Sequence, residues 1–332
     1  MIIANRKIGV KHEPFIIAEV GINHNGNIDL AKKTILKAHE CGASAVKLQT
    51  FRADTLCLKS APYYNLFKKC EFSESQIIEL NEFCNNLNIN IFSAVFDEWA
   101  INLWAKLNNI AVKIASGDIT HIPLIKHAAL KGFPMIISTG GSVDLDISKA
   151  IKAIKSVNKE VNISLLHCIS NYPTNINDLN LNCINEMKSK YKIPIGFSDH
   201  TVGNNASISA VAIGADLIEK HFTLDKSLDG PDHKLSSDPK EFKELVQGIK
   251  IAFLARGINQ KEMVERPESV VAMRRSITSD VQITKGTIIK KNMLVIRRPG
   301  DGIQPENIQK VIGLKAKVNI LNNKTIYWKD LI

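Results

Sequence analysis

FIIAEVGINHNGNIDLAKKTILKAHE, residues 15–40, contains the unit from which most of this chain is built. Its first seven residues are apolar and branched except for Glu19 and Gly21. A run that short and that apolar reads as a strand buried on both faces. The polar segment GINHNG supplies a turn, and Asp29–Glu40 then spaces its apolar residues as one face of a helix. The unit recurs. Further strand candidates are AVKLQT (45–50), NIFSAV (90–95), AVKIAS (111–116) and PMIIST (134–139). They continue with ISLLHC (163–168), PIGFSD (194–199) and DLIEKHF (216–222). Amphipathic stretches such as Glu74–Asn85 and Asp146–Val157 lie between them, and another, Glu241–Leu254, follows the last. Eight strand-then-helix units predict a closed (β/α)8 TIM barrel rather than an open doubly wound sheet. No GxGxxG follows the first strand, which argues against a dinucleotide-binding fold.

After Arg256 the pattern changes to a polar stretch and then to short β-like pieces with Gly, Asn and Asp turns. The expected organisation is a barrel over 1–256, a linker over 257–275 and a small β-rich domain over 276–332. The 332 residues are 45% hydrophobic and 23% charged, an ordinary globular composition. Charge interrupts every apolar stretch and the first residues lack a signal-peptide layout, so a cytoplasmic protein that does not span a membrane is expected. The six cysteines follow no CxxC spacing and read as reduced thiols. The net charge of +10 is carried by scattered lysines with no aromatic–basic module, so nucleic acid is not an expected partner and small polyanions are.

In a (β/α)8 barrel the chemistry gathers at the C-terminal ends of the strands. Polar residues collect there: Glu19, Asn23 and His24 after the first strand, and Lys47 and Gln49 on one face of the second. Lys113, Ser116 and Asp118 follow on the fourth, Ser138 and Thr139 on the fifth, Ser170 and Tyr172 beyond the sixth. A lysine inside an apolar strand is costly unless it meets an anion. Lys47 and Lys113 therefore pair internally with Glu19 or Asp118, or hold a phosphate or carboxylate of a ligand. Serines 116, 138, 170 and 198 at neighbouring strand ends add hydroxyl donors and favour a small anionic substrate. His200 and His221 end adjacent strands, which puts them together at one rim. They read as a metal pair, as structural histidines or as a lone base. His167 reads as supporting the site, and His24 equally as a turn residue. The loop DGPDHKLSSDP (229–239), with Asp232 and His233, either shapes the rim or binds hydroxyls.

Taken in order, IIAEVGINHNG, VKLQT, VKIASGD, PMIISTG, LLHCISNYPT, GFSDHT, IEKHFTLDK, GPDH and RRPGDGI resemble the sialic acid synthase (N-acetylneuraminate synthase) family along nearly the whole chain. The resemblance implies a barrel joined to a C-terminal antifreeze-like (SAF) domain. It implies condensation of phosphoenolpyruvate with an open-chain N-acetylhexosamine, first N-acetylmannosamine, to give a nonulosonic acid and phosphate. Carried over by motif, Lys47, Lys113, Ser116, Ser138, Ser170 and Ser198 look like the phosphoenolpyruvate pocket. His200 and His221 look like ligands of a divalent Mn or Mg ion. Gln49, Tyr172 and Asp232 resemble sugar contacts, with Glu19 a candidate for proton handling. Arg298 resembles an arginine that a partner subunit inserts over the site, which implies a domain-swapped homodimer.

The chain departs from the family pattern at SAVF (Ala94), SGD (Asp118) and HCIS (Ser170), and matches its sugar-binding loops poorly over 52–73. Diacetylated 6-deoxyhexosamines, leading to legionaminic- or pseudaminic-type acids, are the alternative acceptors, and GPDH favours sialic or legionaminic over pseudaminic type. A pyruvate aldolase using a lysine Schiff base and a non-catalytic sugar-phosphate sensor are the remaining alternatives.

Overall fold

The computed structural model describes residues 1–107, 109–257 and 262–332. The apolar runs form eight parallel strands. These are β1 Phe15–Gly21, β2 Ala45–Thr50, β3 Ile91–Val95, β4 Val112–Ile114, β5 Met135–Ser138, β6 Ile163–Cys168, β7 Ile195–Asp199 and β8 Leu217–His221. β8 pairs with β1, Leu217 opposite Phe15 and His221 opposite Glu19, and the sheet closes into the expected barrel. Parallel neighbours need crossovers, and helices such as Ile28–Glu40 and Asp144–Val157 supply them. The first is capped by Asn27, whose side chain accepts from Leu30 N, and buries Ala31, Thr34, Ile35 and Ala38. That i, i+3, i+4, i+7 stripe packs on the outside of the barrel.

Alternation along the strands sends every second side chain into the bore. Toward the N-terminal end the bore is filled by Phe15, Ile17, Phe92, Ile136, Leu166 and Leu217, all fully buried. The antiparallel pair Ile2–Ile3 and Arg6–Lys7 brings Ile3 and Ile8 into the same cluster and closes that end. Gly196 is required there: a Cβ would lie 2.5 Å from Leu217 O and 2.6 Å from Leu166 Cδ2. Burying one such phenylalanine contributes about 1.5–3 kcal/mol.

β4 is shorter than its sequence suggests, because the chain turns through one 3-10 turn at Ser116–Asp118. The Ser116 hydroxyl accepts from Gly140 N at 3.0 Å and so ties that turn to the end of β5.

Residues Met1–Gly257 form one compact unit and Ile258–Ile332 a second. The second carries the antiparallel strands β9 Ser276–Ser279 and β10 Leu294–Arg297 and its own isoleucine core, including Ile277, Ile283, Ile303 and Ile326. The stretch 257–275 differs from a bare linker. It contains the helix Pro267–Met273, and Gly300 N donates to Val271 O at 2.8 Å within the second unit. Residues 258–261 of that stretch lie outside the described residues. All six cysteines are free. Among the described residues no helix is long and apolar enough to cross a membrane.

Candidate active site

Above the apolar filling, the same inward positions turn polar and line a cavity of about 260 Å³. Lys47 and Gln49 reach it from β2, Lys113 from β4 and Ser138 from β5. Ser198 reaches it from β7, Glu219 and His221 from β8, and Glu19 from β1. Ser116, Ser170, Tyr172 and His200 complete the wall just past their strand ends. The barrel thus brings every barrel residue expected at the anion pocket into one cavity. Its size suits a small ligand and falls just below the usual range for binding pockets.

The two lysines are buried; Glu19 is the partner expected for them, and Glu219 is one that was not. Lys47 Nζ lies 2.7 Å from Glu19 Oε2 and 3.7 Å from Glu219 Oε1. Lys113 Nζ lies 3.5 Å from Glu219 Oε1. Asp118, expected as a partner, makes no ion pair among the described residues; Glu219 takes that place. Burial works against every charge here. It raises Glu19 despite Lys47. It also opposes the Glu219 anion, but Lys113 and Lys47 together outweigh it and hold that carboxyl below its usual range. Burial lowers Lys113, whereas at Lys47 the carboxylates of Glu19 and Glu219 overcome burial and raise the ammonium.

The hydroxyls are placed to donate. Ser138 Oγ is buried and lacks a hydrogen-bond partner, and Ser198 Oγ donates to Glu219 Oε1 at 3.1 Å. Ser170 and Ser116 crowd against Gly140, where a Cβ would fall 2.2 Å from Ser170 Oγ and 2.8 Å from Ser116 Oγ. Ala94 lines the same cavity, so its missing hydroxyl leaves an apolar spot on the wall. The neighbouring Ser93 hydroxyl faces away, 2.7 Å from Thr50 Oγ1.

His200 and His221 face each other with ring centroids 5.5 Å apart. His200 Nδ1 donates to the Ile169 carbonyl at 2.8 Å, which leaves the Nε2 lone pair free. His221 Nδ1 is buried without a hydrogen-bond partner and lies 3.7 Å from Asp232 Oδ2. Two imidazoles with unengaged nitrogens fit a divalent cation that takes its other ligands from water and substrate. Among the described residues no group of three or more His, Cys, Asp or Glu side chains is arranged as a metal site. The Tyr172 ring packs 4.1 Å from His200 and meets His221 edge-on at 5.8 Å. Outside the wall, Lys220 and Asp199 form a buried ion pair at 3.1 Å and stand opposite each other in the strand register. Each is the residue before one of the two histidines, so the pair locks the strands that present them.

Other histidines take structural places. His167 points out of the bore, its Nε2 donating to Leu179 O at 2.6 Å, because residues one apart face opposite sides of a strand. His24 is a turn residue: its Nδ1 accepts from Gly26 N at 3.0 Å and its ring stacks on Phe72 at 4.0 Å. Burial lowers its imidazole to about 4. Asn23 Nδ2 donates to Phe222 O and Ser236 Oγ, and His233 Nδ1 meets Thr223 Oγ1 at 2.7 Å, both pinning the loop that carries Asp232. Arg298 is exposed and belongs to the second unit, immediately after β10.

Glu219 and Cys168 are pocket residues to which the sequence reading assigned no role. For Glu219 a signal existed: it is two residues before His221, and therefore shares its face.

The NeuB family model matches residues 34–261 and the SAF domain model residues 274–332. The chain is 42% identical over 331 residues to an uncharacterized protein of Methanocaldococcus jannaschii, covering 99% of this chain and 98% of that one. It is 40% identical over 352 residues to the N,N'-diacetyllegionaminic acid synthase of Legionella pneumophila, covering 99% of each chain. Among solved structures it resembles the N-acetylneuraminic acid (sialic acid) synthetase of Leptospira borgpetersenii in complex with citrate. That likeness has a TM-score of 0.78 and 36% identity, and covers 81% of this chain and 94% of that one.

Proposed function

The chain belongs to the NeuB family and is an enzyme of the sialic acid synthase type, and from that premise we propose the reaction it performs. It condenses phosphoenolpyruvate with the aldehyde of an open-chain N-acetylhexosamine, giving a nonulosonic acid and inorganic phosphate. The observation that carries this reading is one cavity holding two buried lysines, an unpartnered Ser138 hydroxyl and two facing imidazoles.

Lys47 and Lys113 hold the phosphate and carboxylate through charge-assisted hydrogen bonds. Ser116, Ser138, Ser170 and Ser198 add neutral donors, and together these contacts fix the enol carbon against the aldehyde. His200 and His221 would hold a Mn or Mg ion, which supplies Lewis-acid polarisation of the aldehyde oxygen. A C–C bond forms between phosphoenolpyruvate C3 and the aldehyde carbon, leaving cationic character at C2. Glu19, whose carboxyl is raised by burial and lies 2.7 Å from Lys47 Nζ, passes a proton from that pair to the new alkoxide. Water adds at C2 and loses a proton. The C2–O bond to phosphate then breaks as the C2 hydroxyl gives its proton to the departing phosphate, leaving the keto acid. Gln49, which donates to Glu19 Oε1 at 2.9 Å, orients that acid, while Tyr172 and Asp232 face the sugar. The roles of Arg298 and of a partner subunit rest on the resemblance alone.

The test measures phosphate release from phosphoenolpyruvate with and without an N-acylhexosamine and Mn, with product mass determination. Release that requires both is expected. Release without a sugar overturns the reading, and so does an adduct trapped by borohydride with pyruvate on Lys113, whose ammonium burial weakens.

A further inference from the structure

The inward residues of β7 and β8 that line the cavity are Ser198, Glu219 and His221. Period two turns the residues between them, Asp199 and Lys220, outward into the layer between sheet and helices. Both are fully buried there. An ion pair in such a layer is costly, and apolar residues of similar volume often serve stability as well or better. What sets this pair apart is where its hydrogen bonds go.

Asp199 Oδ1 accepts from both the backbone N and the hydroxyl of Thr201, each at 2.8 Å. Asp199 Oδ2 accepts from Ser207 Oγ at 2.6 Å, on the helix Asn205–Ala212, and lies 3.1 Å from Lys220 Nζ. Lys220 Nζ also donates to the Thr201 carbonyl at 2.5 Å. Thr201 directly follows His200, and Lys220 directly precedes His221. The N–H of Thr201 is therefore held by the residue before one histidine, and its carbonyl by the residue before the other.

The pairing of β7 with β8 ends at Asp199 opposite Lys220, so both histidines lie beyond the last residues that join these two strands. His200 has one ring contact to the backbone, from Nδ1 to Ile169 O, and His221 Nδ1 has no hydrogen-bond partner. The 5.5 Å between the ring centroids thus depends on the main chain that carries each ring. A second buried pair in the same barrel works elsewhere. Lys188 Nζ lies 2.8 Å from Asp216 Oδ2, which accepts from Ile195 N at 3.1 Å. Those contacts gather at the N-terminal ends of β7 and β8, far along the strands from the histidines.

We propose that Lys220 and Asp199 are positioning residues that clamp Thr201 between them and so set the separation of His200 and His221 for a divalent cation. This deepens the metal reading above and rests on it.

The test measures Mn(II) binding to the full chain without substrates, by electron paramagnetic resonance of the free ion. Lys220→Met/Asp199→Asn removes both charges together and leaves no lone ion buried. Its Kd for Mn should rise by about tenfold or more, the usual effect of losing a group that orients a metal ligand. Lys188→Met is the control: it should lower Tm and leave the Kd for Mn unchanged. A folded double variant that binds Mn as the unsubstituted chain does overturns the clamp. An equal weakening in Lys188→Met does so too, since it traces the loss to stability. If the double variant does not fold, Ser207→Ala decides in its place. Deleting that one hydrogen bond should raise the Kd roughly threefold, and an unchanged Kd overturns the proposal. No Mn binding by the unsubstituted chain overturns the metal reading itself, and the clamp with it.

Discussion

Ala45, Ala111, Ile136, Leu166, Gly196 and Leu217 point into the lower bore of the barrel. Two residues further along the same strands stand Lys47, Lys113, Ser138, Cys168, Ser198 and Glu219. One pleat repeat separates an apolar plug from a cavity lined by charge. The lower layer is held by packing and tolerates no Cβ at position 196. The upper layer keeps four ionisable groups almost out of water, arranged as Glu19–Lys47–Glu219–Lys113. Such a chain of buried charge is weak evidence for stability, since desolvation opposes each ion. Under the proposed reaction, the anionic groups of a ligand would account for its place in the molecule. The plug stabilises the scaffold, and the layer above spends none of its polar groups on filling space.

That contrast yields expectations for substitutions. Lys113→Met in the upper layer should lower kcat/KM by about a thousand-fold, the order seen when one preorganised donor is removed from a site. Circular dichroism should show the barrel intact; near-wild-type turnover would break the contrast. Phe92→Ala in the lower layer should cost about 3–5 kcal/mol of stability through the cavity it leaves. The kcat/KM of the folded fraction should stay unchanged, as read by urea titration beside initial rates. A loss of activity without a loss of stability would show that the layers are not separable.

His24 sharpens the comparison by pH. Its folded imidazole titrates at about 4 because of burial, below the 6.5 of the exposed ring. The unfolded chain therefore binds a proton first as pH falls. Stability is fully present above about 6.5 and decreases by about 3 kcal/mol on approaching 4. His24→Gln should flatten that part of the urea-midpoint profile, and an identical slope would reject the assignment. The smallest effect is at Ala94. Ala94→Ser places a hydroxyl on the pocket wall, and one added hydrogen bond of about 1 kcal/mol should lower the KM for phosphoenolpyruvate roughly fivefold.

Much of this was legible from spacing. Lys47 and Gln49 had to share a face, and so did Lys113 and the bore, because strand periodicity is two. His200 and His221 were legible as neighbours because they end successive strands. Glu219 was visible as a residue but not as the partner of both lysines. Both lysines lie on strands more than a hundred residues away in sequence, so no local pattern encodes those contacts. His167 lies beside Cys168 in the chain and faces the opposite side of the sheet. Within the polar segment 257–275, Pro267–Met273 forms a helix of the second unit, since Pro267 starts one readily and Gly300 N donates to its Val271 carbonyl.

By itself the sequence determined the alternation of strand and helix, the closed barrel it implies, the change after Arg256 and the strand ends where polar residues gather. Hydrophobic periodicity is local, and a local property can be read locally. Only the tertiary structure decided which carboxylate meets which lysine and which histidine faces inward. Those outcomes depend on barrel closure and loop packing, which bring distant segments within a few ångströms of one another.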